Sequence, residues 1–381
     1  MIEVHATPRQ PLGMPSARFL RDFWQKRPLL IRGMFPHFHN LPSANDLAGL
    51  ACEEAALSRI VVRDEKRDRW TLRSGPFAES DFAKMPKSHW TLLVQDVDKW
   101  DADVATLLDH FRFIPSWRVD DVMVSYATDG GGVGPHVDHY DVFLIQANGQ
   151  RRWRISVDGA QIARKSPRIP APASQFAAKA FRDDSELKLL RNFVPTHEWT
   201  LVHGDVLYLP PGVPHAGTAL GECMTFSVGM RAPAQAELLL DLAEFLAERL
   251  GDDLRYTDPD LAPARDPSEI DAATLARLRA AMPQFTHVDK STLAHWFGCF
   301  ITRYRSVQIA AVPTRALLAA EVRRRLLRST LLRNPFSRFA WRRVGRAAEL
   351  FVAGEAWRCS LAFARLAAAM REIDAKTLAV V

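Results

Sequence analysis

No stretch of this 381-residue chain is apolar for long enough to cross a bilayer, and no charged-then-apolar leader opens it, so neither a membrane role nor secretion is expected. Cysteine is scarce. Cys52, Cys223, Cys299 and Cys359 lie far apart with no Cys-x-x-Cys pair, which argues against both a disulfide framework and a zinc ribbon. No internal repeat is evident. A reducing, cytoplasmic setting fits these absences. What the chain does have is 48% hydrophobic content, enough at this length for two or three cored domains.

Charge is uneven. Residues 301–381 carry 16 Arg/Lys against 5 Asp/Glu, or +11, so the overall +6 leaves −5 on residues 1–300. An acidic first portion suits a cationic substrate, and a basic tail suits a polyanion such as ribosomal RNA. The run Arg323-Arg-Arg-Leu-Leu-Arg328 reads equally well as the solvated face of a helix.

The chemistry is concentrated in two glycine- and proline-framed runs. One is Gly130-Gly-Gly-Val-Gly-Pro-His136-Val-Asp138-His139-Tyr140-Asp141, and the other is Gly204-Asp-Val-Leu-Tyr-Leu-Pro210-Pro-Gly212-Val-Pro-His215. The β-branched and aromatic stretch Val137–Ile145 predicts a strand, on which period two puts His136 and Asp138 on one face. His215, 77 residues beyond Asp138, must come from another strand of the same sheet or barrel. Two histidines and one carboxylate leave coordination positions open, the pattern of non-heme Fe(II) oxygenases, with zinc as the alternative. The turn glycines and Pro214 preset the backbone around the ligands.

These residues resemble the JmjC-type cupin oxygenases, and specifically the bacterial ribosomal oxygenases that hydroxylate an arginine of a large-subunit ribosomal protein. Phe19-Leu-Arg-Asp-Phe-Trp-Gln-Lys-Arg-Pro-Leu-Leu-Ile-Arg, Asp121-Val-Met-Val-Ser125, Arg151-Arg-Trp-Arg and Phe226-Ser-Val-Gly-Met-Arg-Ala-Pro extend the likeness over about the first 300 residues. The resemblance implies an α+β protein. A double-stranded β-helix (cupin/JmjC barrel) with an N-terminal extension would occupy residues 1–233, a helical dimerisation region 234–311, and a basic winged-helix-like domain 312–381. It also implies Fe(II) on His136, Asp138 and His215, with 2-oxoglutarate and O2 as co-substrates.

A planar guanidinium pairs well with the distal carboxylate of such a co-substrate. The resemblance assigns this to Arg151, fifteen positions after His136; Ser125, Thr225 and Ser227 are candidate hydroxyl partners. Asparagine is frequent in the family where Thr225 stands here. On the strand Asp121–Ser125, alternation puts Asp121, Met123 and Ser125 on one face. The resemblance gives substrate contact to Asp121, Met123, Tyr140, Ser227 and Met230, with Asp121 suited to a substrate guanidinium. Other readings are a histidyl hydroxylase or another JmjC oxygenase, and a non-enzymatic metal-binding cupin with an RNA-binding tail.

Coarser elements follow from periodicity. Helices are predicted at Ser16–Lys26, Ser43–Ala56, Ala234–Leu250 (ended by Gly251) and Ser291–Arg305. A strand is predicted at Leu29–Arg32 and a hairpin over Ser58–Arg73, while the ligand-bearing β-region should run from Trp90 to Pro233. A Pro-rich insertion is expected at Ser166–Ser174. A linker over Asp252–Pro267 should lead to a capping sequence at Ser268–Asp271.

Overall fold

The computed structural model describes residues 2–38, 41–157, 182, 187–250, 254–259, 261, 272–281, 288–303, 315 and 317–374. The expected insertion at Ser166–Ser174, Gly251 and the cap at Ser268–Asp271 lie outside these residues, as does most of the Asp252–Pro267 linker. The chain divides into two compact units, Met1–Ala232 and Pro233–Val381. Among the described residues no helix is long and apolar enough to cross a membrane.

The first unit contains strands β1 (Glu3–His5), β2 (Leu29–Arg32), β3 (Ser58–Asp64), β4 (Arg69–Ser74), β5 (Trp90–Val94), β6 (Val119–Ala127), β7 (Val142–Ile155), β8 (His197–Leu201), β9 (Val206–Leu209) and β10 (His215–Met230). Their order is β1-β2-β9-β7-β10-β6-β5-β3-β4, with β8 pairing β7 off this path. β7 and β10 are long enough to serve two sheets. Val142–Ile145 of β7 pair with β9, whereas Arg151–Ile155 pair with β8. β10 follows β7 in antiparallel register and shifts between Leu220 and Thr225, where irregular pairing lets the ribbon bend. The product is a double-stranded β-helix with an interior between its sheets.

Alternation explains why Val142–Ile145 of β7 and Val206–Leu209 of β9 are apolar without a break. Phe143, Ile145, Val206 and Tyr208 pack with Phe19, Leu29 and Ile31 in one core; Val142, Leu144, Leu207 and Leu209 pack with Leu30, Trp153 and Ile155 in another. Strands covered on both faces have no position for a polar residue to reach water. Each such side chain contributes about 1.5–3 kcal/mol by burial, so a one-residue slip, which exchanges the two faces, is strongly disfavoured.

The helices are shorter than periodicity suggests. Helix α1 covers Ser16–Asp22 only, because the chain turns at Gln25, whose φ is 54°. That turn lets Trp24 stack on Tyr208 at 5.9 Å and the Gln25 amide reach Asp141 at 2.9 Å. Helix α2 covers Ala44–Cys52 and starts with a reciprocal capping box between Ser43 and Asp46. The hairpin is present as β3 and β4. The expected strand from Val137 needs correction: β7 begins at Val142, and residues 137–141 lie outside any strand. His136 pairs only as an isolated bridge to His215, and the Asp138 carbonyl accepts from Gly212 N at 2.9 Å, so this segment is bound to the turn before β10 instead of to a neighbouring strand.

In the second unit, helices run over Gln235–Ala247, Ala272–Ala281, Lys290–Thr302 and Ala319–Leu326. Strands Phe339–Val344, Ala347–Val352 and Glu355–Ser360 form an antiparallel sheet, followed by a helix at Leu361–Ala369 that Ser360 caps. The helix Lys290–Thr302, expected to belong to a dimerisation region, packs on this sheet: Gly298 lies against the Phe351 ring, and His295 Nδ1 lies 2.7 Å from Glu349. A Cβ on Gly298 would meet that ring at 2.4 Å, so the glycine sets the close approach.

Candidate active site

His136 and His215 exchange backbone hydrogen bonds, each N–H donating to the other's carbonyl at 3.0 Å, and their rings lie 4.2 Å apart. His136 Nδ1 lies 2.9 Å from Gly134 O, and His215 Nδ1 lies 2.9 Å from Val213 O. A carbonyl can only accept, so each Nδ1 carries a proton, and in the neutral ring Nε2 is then the lone-pair donor. Asp138 closes the set, with Oδ1 4.0 Å from His136 Nε2 and Oδ2 3.6 Å from His215 Nε2. One donor atom from each of the three residues falls within 4.8 Å of the others. Burial, helped by neighbouring His136 and opposed by Asp138, pushes the His215 imidazole down to about 4. It is therefore neutral near pH 7, as a metal ligand must be. This donor set fits a divalent metal with open positions on one side.

The ligand segment is anchored at its far end. Asp141 is fully buried and accepts hydrogen bonds from Tyr208 Oη at 2.6 Å, Gln25 Nε2 at 2.9 Å and Arg118 Nη2 at 3.2 Å. Burial pushes its carboxyl up, while these three partners oppose the shift.

Arg151 is 3% exposed, and among the described residues no carboxylate pairs with it. Nη1 donates to Ser125 Oγ at 3.1 Å and to Thr225 Oγ1 at 3.3 Å, and the buried Nε has no partner. A desolvated cation without a counter-charge is costly, and here it lines a cavity shared with His136, Asp138 and His215. The group suited to fill that deficit is a ligand carboxylate. Gly217 keeps room for the guanidinium itself, since a Cβ there would come within 2.8 Å of Arg151 Nε and of the Trp153 ring. Gln146, which sequence reasoning passed over, is fully buried and accepts from Thr225 Oγ1 at 3.1 Å. Its signal was a polar residue inside the otherwise apolar stretch Val142–Ala147.

The cavity measures about 290 Å³, at the lower end of small-molecule sites. Asp121, Met123, Ser125, Tyr140, Thr225 and Ser227 all line it. On β6 the alternation holds, because Val122 and Val124 turn into the core behind. Asp121 is 6% exposed and accepts from Asp96 N at 3.3 Å; Tyr140, 42% exposed, stands nearer solvent. Gly229, facing Asp121, would bring a Cβ within 3.1 Å of Asp121 Oδ1. Met230 requires correction. It packs with Phe226 and Val228 on the opposite face of β10, so the substrate contact expected of it is withdrawn. Three residues from Ser227, it cannot share a face with it. Arg59, Trp153 and Lys188 also line the cavity and were not singled out from sequence.

Residues 106–238 match the JmjC domain family, which sets the class of the first unit: a cupin-fold oxygenase domain. Residues 284–380 match the ROXA-like winged helix. The chain is 37% identical over 287 residues to the ribosomal protein uL16 3-hydroxylase of Escherichia coli, covering 75% of this chain and 71% of that protein. It is 34% identical over 299 residues to a probable ribosomal oxygenase of Haemophilus influenzae, covering 78% and 68%. The structure of YcfD, a ribosomal oxygenase from Escherichia coli, in complex with cobalt and 2-oxoglutarate, superimposes with a TM-score of 0.77 at 32% identity over 96% of this chain and 91% of that one. The chain belongs to the ribosomal oxygenase family.

Proposed function

We propose that this chain is an Fe(II)- and 2-oxoglutarate-dependent oxygenase that hydroxylates an arginine side chain of a large-subunit ribosomal protein, the counterpart of uL16. The observation that carries this reading is the placement of a buried, uncompensated Arg151 in the same cavity as the three-donor set of His136, Asp138 and His215. His136, Asp138 and His215 would hold Fe(II), which would supply the redox chemistry that links oxidative decarboxylation of 2-oxoglutarate to hydroxylation of the target side chain. The protein's part is to bind and orient. Arg151 pairs with the distal carboxylate of the co-substrate, steadied by Ser125 and Thr225. Asp121 receives the guanidinium of the target arginine, while Met123, Tyr140 and Ser227 line its path. The apolar walls formed by Val142, Leu144 and Trp153 limit water near the reacting atoms.

Catalysis belongs to residues 1–233 in this reading. The helices at Gln235–Ala247 and Ala272–Ala281 would carry a homodimer contact, for which the exposure of Leu239 (61%) and Leu240 (71%) is the support. The basic domain would touch ribosomal RNA through exposed Arg323, Arg324, Arg328, Arg343 and Arg346. A cytoplasmic location follows from a ribosomal-protein substrate. The test of the enzymatic core is release of carbon dioxide from 2-oxoglutarate by the purified protein with and without Fe(II). Metal-dependent release that disappears in His215→Ala is expected; the same rate without metal would overturn it.

A further inference from the structure

We infer that Gln146 is a positioning residue for the co-substrate: by holding the Thr225 hydroxyl proton it makes Thr225 an acceptor for Arg151, which leaves the Nε and Nη2 edge of the guanidinium for the distal carboxylate. The inference rests on the assignment of 2-oxoglutarate to this cavity.

Its basis is a chain of hydrogen bonds with one consistent set of directions. Gln146 Nε2 donates to two backbone carbonyls, Asn148 O at 2.8 Å and Met224 O at 3.3 Å. Turning the amide over would set its oxygen against both carbonyls, so Oε1 is fixed toward Thr225 Oγ1 at 3.1 Å. The single Thr225 hydroxyl proton is thereby used, and its lone pairs face Arg151 Nη1 at 3.3 Å. Ser125 behaves in parallel: its proton goes to Thr225 O at 3.3 Å, and its lone pair accepts from Nη1 at 3.1 Å. Both Nη1 hydrogens are now committed. Neither hydroxyl retains a proton to offer a ligand, so the fork formed by Nε and Nη2 is the donor pair for a carboxylate, and Nε is unpartnered. Without Gln146 the Thr225 hydroxyl is free to rotate and to leave one Nη1 hydrogen unsatisfied, which loosens the guanidinium.

The test is a double-mutant cycle on the Mn(II)-loaded protein, reading the dissociation constant of 2-oxoglutarate by calorimetry. Gln146→Met and Thr225→Val should each weaken binding about five- to twentyfold, as for loss of one or two hydrogen bonds, and the double variant should be no weaker than the worse single. 2-Oxopentanoate, which lacks the distal carboxylate, should bind all four proteins equally. Turnover should show a raised KM for 2-oxoglutarate with kcat kept within about twofold. Unchanged affinity in folded Gln146→Met, additive losses in the double variant, or equal weakening of 2-oxopentanoate would each overturn the inference. If Gln146→Met does not fold, Gln146→Leu replaces it, and normal affinity in Thr225→Val is sufficient to overturn the inference by itself. Arg151→Ala separates the two levels. Unchanged affinity there would remove the 2-oxoglutarate assignment itself, whereas a loss there with none in the Gln146 variants would remove only the role of Gln146.

Discussion

His136 and His215 hold each other through paired backbone hydrogen bonds of 3.0 Å, independent of their side chains. The two ligand-bearing segments are thus registered by main chain, and the imidazoles are oriented by the carbonyls of Gly134 and Val213. These contacts involve only the protein's own groups, and they orient the two rings as ligands for a metal.

Replacing either ring should therefore remove the metal without unfolding the protein. His136→Ala and His215→Ala each forfeit one ring-to-carbonyl hydrogen bond, about 0.5–1.5 kcal/mol of stability. Thermal denaturation should show a small loss in the metal-free state and the disappearance of the metal-induced rise in Tm. A variant that still gains the full rise would be inconsistent with a ligand role.

Arg151 offers a test in which stability and binding move in opposite directions. Arg151→Met removes a buried charge that has no counter-charge, so the ligand-free protein should be as stable as the parent or more so. Affinity for 2-oxoglutarate should nevertheless fall about ten- to a hundredfold, corresponding to a charge-assisted pair of roughly 1.5–3 kcal/mol. Chemical denaturation and calorimetry on the same preparation check both parts. Marked destabilisation with normal affinity would assign Arg151 to the fold.

Gly217→Ala tests the room beside the guanidinium. The added methyl would sit 2.8 Å from Arg151 Nε and from the edge of Trp153, closer than packed atoms allow. Overpacking costs about 1–3 kcal/mol, so 2-oxoglutarate binding should weaken by roughly ten- to a hundredfold while Mn(II) still binds. Affinity equal to the parent would mean the carboxylate does not use this edge.

Asp121→Asn keeps shape and removes charge. Hydroxylation of an arginine-containing ribosomal peptide should drop at least about tenfold, the scale of one charge-assisted hydrogen bond, while decarboxylation of 2-oxoglutarate without peptide continues near the parent rate. Equal loss of both would move Asp121 from substrate recognition to support of the metal site.

Much of this site was legible because strand alternation is a strict rule where a strand is regular. It correctly grouped Asp121, Met123 and Ser125 on β6, and applied to β10 it separates Met230 from Ser227. The rule fails where the backbone leaves the sheet. His136 and Asp138 meet because residues 136–138 are tied to the turn at 212–215, a pairing between segments far apart in sequence that no local pattern encodes. The orphaned Nε of Arg151 and the amide of Gln146 were hidden for the same reason: what they touch is set by register between β6, β7 and β10. The helix Lys290–Thr302 was visible as an apolar stripe, but its partner sheet was not, since a stripe states that a face is covered and not by what.

The most direct measurement is mass spectrometry of large-subunit ribosomal proteins incubated with the purified protein, Fe(II) and 2-oxoglutarate, with His136→Ala as the control. The expected result is the added mass of one oxygen atom on a single arginine of the uL16 counterpart, absent in the control. Unmodified ribosomal proteins in the presence of active, metal-dependent 2-oxoglutarate turnover, or an oxygen carried on a histidine, would contradict the account.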